Sequence, residues 1–164
     1  MPGNRWYDAI PSITSGLSIA EQLPDFVLEK LVATLEAFAQ QYHEGSGLKS
    51  LGKDAVIRLM KAKQDMRASD LKPELKRWLT FVMILPEVDQ LRHAEWFFNL
   101  ANGLSQYMSL TRTMGTECQP TELQQLCSVF LNSRGNPKAL EKYLALLYQA
   151  HINNNPLAIY RSSP

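Results

Sequence analysis

Hydrophobic residues recur at alternating spacings of three and four between Pro24 and His43. The recurring positions are Leu28, Leu31, Leu35, Phe38 and Tyr42, and the stripe is widened by Val27, Val32 and Ala39. This spacing is typical of the core-facing side of an amphipathic helix. Pro24 suits a first helical turn, and the glycines at 45 and 47 predict the end of the helix. The segment therefore predicts a helix whose apolar stripe the other elements must cover.

Further helices are predicted along the rest of the chain, and no alternating strand pattern competes with them. They cover 53–67, 71–85, 86–114, 120–134 and 137–152, and prolines or glycines mark the connections between them. In the first of these, the apolar side is predicted to comprise Val56, Leu59, Met60 and Met66, with Lys63 in the middle of the same arc. The chain is thus predicted to be all-α, a single compact antiparallel bundle of five to six helices.

The length of 164 residues fits one domain with a substantial core. Residues 1–17 contain Pro2, Gly3, Pro11 and Gly16 among scattered apolar residues and are predicted to form an irregular N-terminal arm. Residues 18–152 are predicted to form the helical bundle domain. Residues 153–164 have no helical period and are predicted to be a C-terminal tail.

The composition is that of a soluble globular protein, with 45% hydrophobic residues, 20% charged residues and a net charge of +1. The longest apolar stretch, 79–85, is too short to span a bilayer, and the N-terminus has no apolar run of signal-peptide length. Cys118 and Cys127 lack a CxxC spacing and are predicted to be reduced thiols. We therefore expect a cytoplasmic protein that does not bind membranes.

The charges are unevenly distributed along the chain. The stretch from Lys49 to Arg77 holds nine cations and four acids, a local balance of +5, whereas the stretch from Glu21 to Glu44 holds five acids and one lysine, a balance of −4. The nine cations, which we take as a candidate polyanion-binding or nucleic-acid-binding set, are Lys49, Lys53, Arg58, Lys61, Lys63, Arg67, Lys72, Lys76 and Arg77.

Two interpretations of the basic stretch remain open. Its cations are suited to contact the phosphate backbone of RNA or DNA without reading base sequence. Alternatively, they form a solvated face that pairs with the acidic helix or with carboxylates four residues away. The first interpretation loses its main support if the acidic and basic faces pair within the molecule.

Trp96, Phe97 and Phe98 are three consecutive aromatic residues in a predicted helix. Consecutive helical residues spread over about 200°, so one core cannot enclose all three rings. A neighbouring helix or the N-terminal arm covers the remaining ring, or the three residues form a candidate protein interface.

Motifs for catalysis or metal binding are weak. The run from Gly47 to Lys53 matches GxxxxGK, but Asp54 replaces the magnesium-binding hydroxyl and a helix precedes the run in place of a strand. His43, His93 and His151 lie on different predicted helices, and solvated or core roles are favoured over a metal site. We expect no enzyme activity, no cofactor and no metal.

These observations favour a non-catalytic helical protein–protein interaction module, which acts as an adaptor or as a small subunit of a larger cytosolic assembly. A protein partner or self-association is expected. The alternative is a nucleic-acid-binding small subunit of a nucleoprotein complex that uses the basic 49–77 hairpin. Small helical subunits of CRISPR effector complexes are similar in size and general make-up, which is an analogy of class alone.

Overall fold

A computed structural model describes residues 5–43 and 52–154, except for the side chains of residues 42, 43 and 154. Within these ranges the chain is all-helical and contains no strand. A 3₁₀ turn at Trp6–Ala9 precedes seven α-helices. These are α1 (Pro11–Ala20), α2 (Asp25–His43), α3 (Lys53–Arg67), α4 (Pro73–Met83), α5 (Glu87–Thr113), α6 (Pro120–Asn132) and α7 (Pro137–Asn154). The all-α prediction is confirmed, and the described helices number seven, more than the five to six expected.

Prolines and acidic residues explain where most of these helices begin. Pro11, Pro73 and Pro120 each occupy a first helical turn, where the missing N–H has no intrahelical acceptor. Asp25 and Glu87 place negative charge at the positive ends of α2 and α5. Because α1 begins at Pro11, residues 11–17 are helical, although the sequence led us to expect an irregular arm. At the other end, α7 extends to Asn154, and residues 155–164 lie outside the described residues.

The chain divides into two compact units, Met1–Phe98 and Asn99–Pro164. In the first unit, α4 packs against both α2 and α3. The predicted apolar stripe of α2 is buried at every described position, from Val27 to Ala39. The Phe97 ring has no exposed surface, and it stacks on Trp78 with 4.3 Å between ring centroids. Aromatic stacking and the α2 stripe therefore form the core of this unit.

In the second unit, α6 packs against α7. Its buried side chains come from all three helical segments of the unit and include Leu104, Tyr107, Leu126, Phe130 and Leu140. Each unit thus has its own apolar core.

Candidate interaction surface

The apolar side of α3 is rotated from the one that the sequence suggested. The fully buried residues of this helix are Ala62 and Met66, whereas Val56 is 41% exposed, Ile57 55% and Met60 66%. Successive helical residues turn by about 100°, so the buried arc is centred close to Ala62, on the side of α3 that packs against α4. Our expectation that Val56 and Met60 face the core is wrong.

This rotation explains the position of Lys63, which the sequence placed in the middle of the apolar arc. With the buried arc centred on Ala62, Lys63 lies on the solvent side and is exposed. The solvent-facing side of the helix carries three large apolar residues flanked by four cations. We call this set the α3 outer face; it consists of Lys53, Val56, Ile57, Met60, Lys61, Lys63 and Arg67.

Two of the nine candidate cations pair with the acidic helix. The Lys72 ammonium lies 2.9 Å from the Asp25 carboxylate. The Arg77 guanidinium lies 3.2 Å from the Glu29 carboxylate and 3.0 Å from the Glu36 carboxylate. These two glutamates are seven residues, or about two turns, apart on α2. These contacts connect α4 and the residue before it to α2, so among the described residues the acidic and basic faces pair at Lys72 and Arg77.

The other candidate cations have different environments. Arg58 donates a hydrogen bond from Nη1 to the carbonyl oxygen of Leu85 at 3.0 Å. Lys49 lies outside the described residues. The remaining five make no ion pair with any residue that the structure describes; they are Lys53, Lys61, Lys63, Arg67 and Lys76. Four of these five belong to the α3 outer face, whose cations are therefore not held in ion pairs with the part of the chain that the structure describes.

The aromatic triplet is largely covered from within its own unit. Phe97 is buried against Trp78, as described above, and therefore belongs to the core. Trp96 is half-buried and lies beside Phe38, with 4.2 Å between ring centroids. Phe98 is also half-buried. Only the exposed parts of Trp96 and Phe98 are available to a partner, and a protein interface at these two residues stays a prediction.

A polar network in the second unit has no counterpart in the sequence analysis. Tyr107 donates a hydrogen bond to Glu122 Oε1 at 2.7 Å and accepts one from the Gln119 backbone N–H at 2.9 Å. His151 Nε2 lies 3.1 Å from Glu122 Oε2. Burial is the main cause that raises the pKa of Tyr107, and the hydrogen bond to the Glu122 carboxylate acts in the same direction.

This network could not be recognised from spacing, because its members come from three helices and lie 15 and 29 residues apart in sequence. Cys118 borders it, and burial raises the pKa of its thiol. Both oxygens of Glu122 are occupied by neighbouring side chains, so the arrangement links α5, α6 and α7.

The histidines do not assemble a metal site in the part of the chain that the structure describes. His93 is buried and lies edge-on to Phe81 and Trp96, with centroid distances of 5.9 and 4.8 Å. The His43 side chain is outside the described residues. Across residues 5–43 and 52–154, no group of three or more His, Cys, Asp or Glu side chains has an arrangement suited to a metal ion.

Among the described helices, none combines the length and the apolar character needed to cross a membrane. No protein family model, no curated protein and no solved structure matches the chain.

Proposed function

We propose that this chain is a non-catalytic helical interaction module, an adaptor or a small subunit of a larger assembly, and that its α3 outer face binds an acidic amphipathic segment of a protein partner. The observation that carries this proposal is the combination of Val56, Ile57 and Met60, each more than 40% exposed, with four cations that have no ion-pair partner among the described residues.

The apolar residues supply the reason for a protein partner. Single exposed apolar residues are normal on protein surfaces, but adjacent ones on a helix form a patch. Val56 and Met60 are four residues apart, and Ile57 and Met60 three apart, so the three side chains are neighbours on one face. A partner that covers them removes apolar area from water, at roughly 25 cal/mol per Å².

The cations determine which apolar partner fits. An apolar segment flanked by Asp and Glu pairs with Lys53, Lys61, Lys63 and Arg67, whereas a basic segment is repelled. Charge complementarity of this kind mainly accelerates association and selects the partner, and the apolar contacts hold the complex together. The proposal thus requires both kinds of residue.

Site-specific photo-crosslinking in the native cell tests the proposal. A benzophenone side chain at position 57 or 60 is expected to capture a protein whose crosslinked segment is acidic and amphipathic. The matched control places the same group at Val88, which is 64% exposed but lies on α5. The yield of the crosslinked partner is expected to be unchanged by nuclease treatment and to fall in Lys61→Glu/Lys63→Glu. Equal capture from positions 60 and 88, or a crosslinked segment that is not acidic, contradicts the proposal.

A second candidate function is binding of an RNA or single-stranded DNA backbone, which is favoured by the same four cations and by Lys76, none of which forms an ion pair with a described residue. Five phosphate contacts predict a slope of log K against log salt of about −3.5 for a single strand. Anisotropy with a labelled oligonucleotide measures this slope. Binding must be lost in Lys61→Gln/Lys63→Gln/Arg67→Gln and retained in Ile57→Ser/Met60→Ser; loss in the apolar variant favours the protein partner instead.

A further inference from the structure

A cleft of about 300 Å³ lies in the first unit, at the lower end of the volume range of small-molecule sites. It is bounded by the 3₁₀ turn and the start of α1, by α3, by the end of α4 and by the first turns of α5. Its apolar walls are formed by Trp6, Ala9, Ile10, Met83 and Leu91, and its polar groups belong to Arg58, Glu87 and Gln90.

Two of the polar groups at this cleft, Arg58 and Gln90, donate hydrogen bonds to carbonyl oxygens at the end of α4 and in its connection to α5. The buried Gln90 donates from Nε2 to the carbonyl oxygens of Met83 and Leu85, each at 3.1 Å. Arg58 donates from Nη1 to the same Leu85 oxygen at 3.0 Å. One guanidinium nitrogen is thereby fixed, and Nε and Nη2 remain as donors with no hydrogen-bond partner among the described residues.

The cleft lining contains one side chain of each charge, which favours a ligand that carries one group of each sign. A guanidinium with two adjacent free donors matches a carboxylate in a bidentate geometry. Glu87 supplies a carboxylate on the same lining, and it makes no ion pair with Arg58 or with any other described residue. A phosphate or another multiply charged anion is disfavoured by this second charge, whereas an ammonium is attracted to it.

We propose that the cleft binds a free α-amino acid with a large apolar side chain. Arg58 binds the carboxylate, Glu87 binds the ammonium, and Ile10, Met83 and Leu91 contact the side chain. The ligand would bridge α3 and the start of α5. This site is separate from the α3 outer face, because Arg58 lies more than a quarter turn around the helix from Ile57 and Met60.

Titration of the full chain with L-leucine and L-methionine up to about 10 mM, followed by calorimetry and by ¹H–¹⁵N NMR, tests this assignment. Trp6 lines the cleft and Trp78 does not, so the Trp6 indole N–H resonance is expected to shift saturably while that of Trp78 stays in place. N-acetyl-L-leucine and L-leucinamide each lack one charge, and both are expected to bind at least about tenfold more weakly than L-leucine.

Three variants and one control complete the experiment. Arg58→Gln and Glu87→Gln are each expected to weaken binding by at least about tenfold. Ala9→Phe is expected to abolish it by filling the cleft, with both charges retained. Arg92→Gln removes an exposed cation of α5 that does not line the cleft, and it is expected to bind like the parent. Absence of a saturable shift at Trp6, equal binding of N-acetyl-L-leucine, or unchanged binding in Glu87→Gln and Ala9→Phe overturns the proposal.

Discussion

Replacement of Gly16 by alanine is expected to lower the free energy of unfolding of the first unit. Gly16 lies within α1, and a β-carbon built at this position would approach Cε2 and Cδ2 of Phe97 to 2.5 and 2.6 Å. Carbon atoms in van der Waals contact are about 3.5–4.0 Å apart, so a shift of about 1 Å is required. Phe97 cannot easily supply that shift, because it is fully buried and stacked on Trp78.

Two effects of opposite sign determine the magnitude. Alanine in a helix interior is favoured over glycine by about 0.5–1 kcal/mol. Insertion of a methyl group into a packed core costs about 1–3 kcal/mol. Because the contact involves a ring that is fully buried and stacked on Trp78, we expect the second effect to prevail, with a net loss of about 1–2 kcal/mol. With a urea m-value of about 1–2 kcal/mol/M, the unfolding midpoint falls by roughly 1 M.

Tryptophan fluorescence provides the assay, because Trp6, Trp78 and Trp96 all belong to the Met1–Phe98 unit. The matched control is Gly103→Ala in α5, where the added β-carbon meets the Leu140 side chain, with Cδ1 at 3.1 Å. There, a shift of a few tenths of an ångström suffices, and the change is expected to stay below about 1 kcal/mol. Because Gly103 belongs to the Asn99–Pro164 unit, which contains no tryptophan, the unfolding of both variants is also followed by circular dichroism. Wild-type or higher stability of Gly16→Ala would refute the packing argument. A smaller loss when Gly16→Ala is combined with Phe97→Leu would support it.

Two further predictions follow from the polar contacts. Arg77→Gln removes both contacts to α2, yet we expect a loss of no more than about 1 kcal/mol because the pair partners are exposed, and the loss should shrink at high salt in urea unfolding. In the second unit, burial raises the pKa of Cys118 above 9.0 and that of Tyr107 above 10.0. The unfolded state therefore releases these protons at lower pH than the folded state does. As a result, the free energy of unfolding falls as the pH rises through and beyond those values. Urea unfolding followed by circular dichroism at about pH 7.5 and pH 10 measures this loss of unfolding free energy. The loss should be smaller in Cys118→Ala/Tyr107→Phe, and an equal loss in that variant contradicts the assignment.

Local patterns in the sequence were sufficient to predict most of the helices. The α2 stripe is long and regular, and its described positions are buried as expected. The α3 helix was predicted with its observed bounds, Lys53–Arg67. Helix formation depends on contacts between residues three and four apart and on terminal prolines, so it can be read from neighbouring residues.

The orientation of α3 could not be predicted in the same way. Its apolar residues lie on more than one side of the helix, and the sequence favoured the side with the larger residues Val56 and Met60. Packing against α4 buries Met66, as predicted, together with Ala62, which was not among the predicted residues. A small residue such as Ala62 allows two helices to approach closely, and the larger side chains are left facing the solvent.

The candidate sites, like the helices, were predictable where local sequence decides and unpredictable where tertiary packing decides. The sequence alone determined that the chain is helical, where most helices begin, and that positive charge concentrates between 49 and 77. Only the tertiary structure decided which cations are paired, since Arg77 meets carboxylates 41 and 48 residues away, and only it brought Arg58 and Glu87 to one cleft. The physical reason is that helix formation is governed by local contacts, whereas the face that a helix buries and the partners of its charges depend on helices distant in sequence.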